Sequence, residues 1–105
     1  MASKSRKEQI QDMLANDPND AELRYFLAME HQSSGEEEDA LKCFQDLMAL
    51  APDYVPTYVQ AGQLLNRLQR EDEARQVYRN GIAAAHKKGD RHAAEEMEAF
   101  LDGIS

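Results

Sequence analysis

The residues of this chain that could do chemistry are few: three histidines, His31, His86 and His92, and one cysteine, Cys43. A cysteine nucleophile needs a neighbouring base and a third group that orients the base, and the sequence gives no such arrangement around Cys43 and His31. Cys43 instead borders the apolar face of a predicted helix, next to Phe44, where a buried free cysteine is usually inert. The sequence therefore predicts no catalytic residue.

One group of side chains has a spacing that a metal ion could use. His92, Glu95 and Glu96 share one face of a predicted helix, and His86 lies across the Gly89 turn from them. Histidine and glutamate are also abundant on solvated helices of acidic proteins, so the metal signal is weak and an exposed surface is the better account of the pattern. We expect no metal and no cofactor, since the chain also lacks a glycine-rich phosphate loop, a nucleophile elbow and a paired-cysteine motif.

Charge and composition disfavour several classes of partner. The 20 acidic and 12 basic residues give a formal charge of −8, which argues against binding to nucleic acid or to an anionic membrane surface and favours a basic protein partner. The basic start, Met1–Lys7, is followed by polar residues where a signal peptide needs an apolar stretch. The longest apolar runs, such as Ile82–Ala85, are far shorter than the roughly 20 residues that span a bilayer. We expect a cytoplasmic protein.

The elements that must position these side chains are helices, because apolar residues recur three and four apart rather than alternating. Proline and glycine mark the ends: Pro18 and Pro52 follow two of the predicted helices, and Gly35 and Gly89 lie in turns. Six helices are predicted, at about Arg6–Asn16, Asp20–Ser33, Glu36–Leu50, Tyr54–Leu68, Glu71–Lys88 and Asp90–Asp102.

The helices follow a repeat of 34 residues, since Pro18 and Pro52 stand one period apart, as do Ala40 and Ala74. A period of this length typifies stacked helical arrays. In this register the chain resembles the tetratricopeptide repeat family, whose unit is a helix pair of that length. The first full unit, residues 21–54, carries the small, aromatic, glycine and proline positions of the family at Leu27, Ala28, Gly35, Ala40, Phe44 and Pro52. The second, residues 55–88, carries them at Tyr58, Gly62, Ala74 and Tyr78. Ala28, Gly62, Ala40 and Ala74 are small where the helices of a pair are expected to cross closely.

The resemblance implies an all-α fold: a right-handed α-α superhelix of about six antiparallel helices. It implies one domain over residues 1–105, with an N-terminal half-unit at 6–16, the two full units, and a capping helix at 90–103. The chain departs from the family pattern in several places. His31 takes a tyrosine slot, so packing is the better account of this histidine. Gln69 replaces the turn glycine, and His86 replaces a proline, which lets the fifth helix run on.

The first helices of successive units line a concave groove in this family. The corresponding positions recur once in each repeat and form three rows: Tyr25, Met29 and Gln32; Val59, Gln63 and Asn66; Ala93, Met97 and Phe100. We predict a partner-binding groove formed by Tyr25, Met29, Gln32, Val59, Gln63, Asn66 and Met97. The alternative for Met97 and Phe100 is that both belong to the core of the capping helix.

The predicted function is that of a non-enzymatic adaptor or scaffold that binds a peptide or protein segment in the groove. Some family members hold a C-terminal carboxylate with cationic groove residues. The corresponding positions here have no cation, which disfavours that ligand: Tyr25, Met29, Gln60, Asp90 and Ala94. The alternative function is a self-associating structural module, a weak homodimer formed through the terminal helices near Ile10 and Phe100.

Overall fold

The computed structural model describes residues 3–104, and within that range it contains six α-helices and no strand. The helices are α1 (Arg6–Asn16), α2 (Ala21–Ser33), α3 (Glu37–Leu50), α4 (Pro56–Arg67), α5 (Glu71–Lys88) and α6 (Arg91–Asp102). All six begin and end within two residues of the bounds predicted from the sequence. The prediction of an all-α fold is thus confirmed.

Short polar side chains begin three of the helices. Ser5 and Glu8 form a capping box on α1: the Ser5 hydroxyl accepts from the Glu8 amide at 3.1 Å, and the Glu8 carboxylate accepts from the Ser5 amide at 3.2 Å. Asp20 accepts from the Leu23 amide at 3.0 Å, and Asp90 caps α6 in the same way. These contacts satisfy backbone donors that a helix leaves unpaired at its start.

Three turns between helices share one backbone conformation, with a residue of positive φ at Gly35 (76°), Gln69 (63°) and Gly89 (73°). Each turn closes with a backbone hydrogen bond between residues five apart in the sequence, such as the one from the Glu36 amide to the His31 carbonyl at 2.9 Å. Gln69 therefore adopts the left-handed geometry of the glycine that it replaces, at a cost that glycine does not incur.

The fifth helix confirms the consequence predicted for His86. Helix α3 ends at Leu50, two residues before Pro52. Helix α5 instead continues through His86, the position equivalent to Pro52, and ends at Lys88 after 18 residues. The left-handed Gly89 then ends it. A proline at position 86 would remove the backbone N–H that this helical turn needs, and histidine keeps it.

The helices fall into two compact units, one ending at Leu50 and the other beginning at Ala51. In the N-terminal unit, α1 packs on α2 and α2 packs on α3. In the C-terminal unit, α4 and α5 pack together, and α6 packs against both. Each unit has its own buried side chains. Those of the N-terminal unit are Ile10, Ala28, Ala40, Leu41, Phe44 and Leu47; those of the C-terminal unit include Tyr58, Leu64, Leu65, Tyr78 and Met97.

Candidate protein-binding faces

The α2 face carries the first predicted row, Tyr25, Met29 and Gln32, and all three side chains are half-buried. The Tyr25 ring lies between two other aromatic rings: its centroid is 6.2 Å from that of Phe26 and 6.4 Å from that of Phe44. Because Phe44 is fully buried, these contacts hold Tyr25 in place on the surface of α2. The face thus has an aromatic ring packed on a buried phenylalanine, beside a methionine; aromatic residues and methionine are both common at recognition surfaces.

Phe26 is part of this face, although the periodic rows do not include it. Its side chain is 38% exposed, which makes it one of three large apolar residues that the described chain leaves open to solvent. Phe26 lies three residues before Met29, so the two share one side of the helix. A signal was present in the sequence: Phe26 occupies none of the slots that the family fills with core residues.

Acidic groups surround the α2 face, and the cations of this helix lie elsewhere. Glu22 is exposed, and no described residue donates a hydrogen bond or an ion pair to its carboxylate. The Glu30 carboxylate forms an ion pair with Arg6, whose Nε lies 2.9 Å from Glu30 Oε1. The Nε of Arg24 donates to the Pro18 carbonyl at 2.6 Å, on the opposite side of Tyr25 from Phe26. Among the described residues, Glu22 is therefore an unpaired negative charge on this face, whereas the Arg6 cation is paired with Glu30.

The side chain of Gln32 ends the α2 row. Its Oε1 atom is buried, and within residues 3–104 no donor reaches it. A buried acceptor without a donor costs free energy unless a partner or a solvent molecule satisfies it. Gln32 is therefore a polar group of this row whose acceptor is not satisfied by residues 3–104.

The α4 face carries the second row and is neutral. Val59 and Gln63 are half-buried, and Asn66 is exposed. Helix α4 contains no acidic residue, and its one basic residue, Arg67, is in its last turn. This face therefore offers amide donors and acceptors beside a small apolar side chain, without a charge at its centre.

The third row requires a correction, because Met97 is fully buried and cannot contact a partner at the surface. A Cβ atom added to Gly81 would lie 2.5 Å from the Met97 sulfur, so this thioether fills the space that the glycine leaves. Phe100 stacks on Tyr78, with centroids 5.8 Å apart and an interplanar angle of 25°. Met97 therefore belongs to the core of the C-terminal unit, as in the alternative that the sequence left open, and Phe100 is half-buried against that core.

A group of potential metal ligands lies at the turn between α2 and α3, where the sequence did not predict one. Ligand atoms of His31, Glu36 and Asp39 lie within 4.8 Å of one another. Glu36 Oε1 is already engaged, since His31 Nδ1 and Lys7 Nζ each approach it at 2.9 Å. Lys7 and then His31 lower the pKa of the Glu36 carboxyl, and Glu36 in turn raises that of Lys7. An ion at this place would therefore compete with the Lys7 ammonium for the Glu36 carboxylate.

The other residues singled out from the sequence lie apart. His92, Glu95 and Glu96 are exposed, and they do not form a group of three converging ligands. His86 Nε2 is 3.8 Å from a carboxylate oxygen of Glu98. Cys43 is half-buried, and burial, with the nearby carboxylates of Asp46 and Asp39, raises the pKa of its thiol. A thiol with a raised pKa is a poor nucleophile at neutral pH.

No helix within residues 3–104 is long and apolar enough to cross a membrane.

Known proteins share both the repeat register and the length of this chain. The family model of the tetratricopeptide repeat matches residues 21–54 and 55–87, in the register predicted from the sequence. A TPR repeat-containing protein of Pseudomonas aeruginosa is 30% identical over 94 residues, which are 90% of each chain.

Solved structures give the same picture. The solution structure of a tetratricopeptide repeat domain protein from Salinibacter ruber has a TM-score of 0.80 and 35% identity, over 84% of this chain and 89% of that one. A protein of Bordetella parapertussis has a TM-score of 0.82 at 24% identity, over 97% of this chain and 89% of its own, a likeness of fold alone.

Proposed function

Because the chain belongs to the tetratricopeptide repeat family, whose fold generally mediates protein–protein interactions, we propose that it is a non-enzymatic adaptor for a peptide or protein segment. The proposed binding surfaces are the α2 face, formed by Tyr25, Phe26, Met29 and Gln32, and the α4 face, formed by Val59, Gln63 and Asn66, each within its own unit. The proposal includes a cytoplasmic location, as predicted from the composition.

One observation carries the proposal: apolar and amide side chains remain accessible on these first helices while the chain as a whole carries a charge of −8. Accessible aromatic side chains supply the contacts that dominate binding free energy at interfaces, and exposed methionine adapts to different partners. Tyr25 and Phe26 are such aromatic groups, and Met29 lies beside them.

The test uses a partner captured with the full chain and then identified and purified. Replacing Tyr25, Phe26, Met29 or Gln63 with alanine should weaken binding, and an aromatic residue should give the largest loss, about 2 kcal/mol, because truncation removes a rigid anchor. Gln45→Ala is the matched control, because Gln45 is exposed on the second helix of the same unit. Calorimetry gives the affinity, and circular dichroism verifies that each variant is folded. Unchanged affinity in the α2 and α4 variants, with a loss in the control, would reject the proposal.

A second candidate function is self-association through a terminal helix, and one observation favours it: Met13 on α1 is 49% exposed. Of the two residues that the sequence indicated for this contact, Ile10 is buried at 5% exposure, and Phe100 is half-buried and stacks on Tyr78. The discriminating variant is therefore Met13→Lys. A dimer that persists on dilution in light scattering and disappears in this variant would favour self-association over partner binding.

A further inference from the structure

The charge of the chain is distributed unevenly along the sequence. Residues 1–50 hold 11 of the 20 acidic residues and 5 of the 12 basic ones, a formal charge of −6, whereas residues 51–105 hold 9 and 7, a charge of −2. The N-terminal unit also contains every large apolar side chain that the described residues expose: Met13, Phe26 and Leu50. Exposed aromatic surface and uncompensated negative charge thus occur in the same unit.

On α2 these two properties meet at one place. Glu22 precedes Tyr25 by three residues and Phe26 by four, so its carboxylate is a neighbour of both rings on the helix surface. Glu22 is exposed, and no described residue pairs with it. The two ring centroids are 6.2 Å apart, and the rings are inclined at 59°. A carboxylate beside two inclined aromatic rings has the chemistry that binds a planar cation.

We propose that the α2 face binds an arginine side chain of the partner segment. The guanidinium stacks on the Tyr25 and Phe26 rings and donates to the Glu22 carboxylate, while the carbon chain of the arginine packs on Met29. This inference rests on the proposed function, because it specifies the chemistry of a partner at one of the two proposed faces. Arginine fits better than lysine because its planar group can stack on a ring and make two parallel hydrogen bonds to a carboxylate.

The α4 face makes the inference specific to α2. Val59, Gln63 and Asn66 have no neighbouring carboxylate on their own helix, since α4 contains neither aspartate nor glutamate. A general attraction of basic molecules to an acidic protein would act on both units, although more strongly on the first. Recognition of a guanidinium would instead depend on one carboxylate and two rings.

The test measures binding of short end-blocked peptides that repeat glycine, leucine and arginine to the full chain at low salt. Matched peptides carry citrulline, lysine or glutamate in place of arginine. Two variants remove one negative charge each: Glu22→Gln, and Asp46→Asn as the control, because Asp46 is an exposed carboxylate on α3 without a partner among the described residues. NMR titration gives both the affinity and the amides that shift.

The arginine peptide should shift the amides of α2 and bind more tightly than the lysine peptide, whereas the citrulline and glutamate peptides should not bind. Glu22→Gln should weaken the arginine peptide about tenfold, because it removes a charge-assisted pair. Phe26→Ala should weaken it by a similar factor, and Asp46→Asn by less than about twofold.

Several results would overturn the inference. Equal losses of affinity in Glu22→Gln and Asp46→Asn would indicate diffuse electrostatic attraction. Equal affinities of the citrulline and arginine peptides would show that binding does not depend on a positive charge. Equal binding of the lysine peptide would reject the choice of arginine. If the arginine peptide fails to bind although alanine variants of α2 still weaken the captured partner, the inference fails and the adaptor function stands. If those alanine variants leave the partner's affinity unchanged, the adaptor function itself fails.

Discussion

The two units of this chain use the same repeat period but differ in what they bury and what they expose. Five large side chains are fully buried in the C-terminal unit, Thr57, Leu64, Leu65, Tyr78 and Met97, and two in the N-terminal unit, Phe44 and Leu47. The N-terminal unit exposes apolar side chains and carries most of the net charge. Two units with a common repeat register can therefore differ in how many large side chains they bury and in how much apolar surface they expose.

The closest packing in the C-terminal unit surrounds Gly62. A Cβ atom at this position would lie 2.3 Å from the Tyr78 ring, far inside van der Waals contact. At the equivalent position of the N-terminal unit, Ala28 has a Cβ atom and is nevertheless fully buried next to α3. The crossing in the C-terminal unit is thus closed to even one methyl group.

The largest effect that would test this difference is that of Gly62→Ala. Overpacking should cost more than the roughly 1 kcal/mol that alanine gains in helix propensity, so we expect a net loss of about 1 to 2 kcal/mol in the free energy of unfolding. The Tyr78 ring cannot retreat easily, because it is buried and stacked on Phe100. Urea denaturation gives the value.

Arg79→Ala is the matched control for Gly62→Ala, since Arg79 is exposed on α5. Its effect should stay within about 0.5 kcal/mol. A gain in stability in Gly62→Ala, of the size expected from propensity alone, would show that the helices are not in close contact at this crossing.

The second test exchanges the turn residues of the two units. Gly35 and Gln69 occupy equivalent positions of the repeat and share a left-handed backbone, and a Cβ atom at Gly35 would meet no atom within 4 Å. Only backbone conformation should therefore count: Gly35→Gln should cost about 1 kcal/mol, and Gln69→Gly should add about 0.5 kcal/mol. Thermal denaturation monitored by circular dichroism gives both changes.

Gln69→Ala is the control for this exchange, because alanine keeps the left-handed strain without the freedom of glycine. Its stability should match that of the original chain within about 0.5 kcal/mol. A loss of stability in Gln69→Gly would mean that the glutamine side chain itself stabilises the turn.

Most of the fold could be predicted from the sequence, because the signals that set it are local and repeated. Pro52 ends α3, Gly89 ends α5, and apolar residues three and four apart indicate each helix. The replacement of glycine by Gln69 left the turn geometry unchanged, since the hydrogen bonds of the neighbouring helix ends determine it. The family register of small residues likewise identified Gly62 as a contact position.

The candidate site was predictable only in part. Tyr25 and Met29 were found because they recur with the period, whereas exposed Phe26 breaks the periodic rows. Met97 has the same spacing as a surface residue, and only the fit of its sulfur against Gly81 makes it core. Burial of this kind depends on packing between helices, which a helical period alone does not specify.

The smallest effect at neutral pH concerns the aromatic residues at equivalent positions of the two units, Phe44 and Tyr78. Burial, with a smaller contribution from Glu96, raises the pKa of the Tyr78 hydroxyl from 10 to about 12. A group whose pKa is higher in the folded state contributes stability that is complete below its unfolded pKa and is lost as the pH rises through its folded pKa. The chain should therefore lose stability between about pH 10 and pH 12.

Tyr78→Phe should change stability by less than about 0.5 kcal/mol at pH 7 and should reduce this alkaline loss. Tyr58, whose pKa burial also raises, is present in both proteins, so their difference isolates Tyr78. Urea denaturation at pH 8 and at about pH 11 measures it, and parallel pH profiles for the two proteins would show that Tyr78 titrates as it does in the unfolded chain.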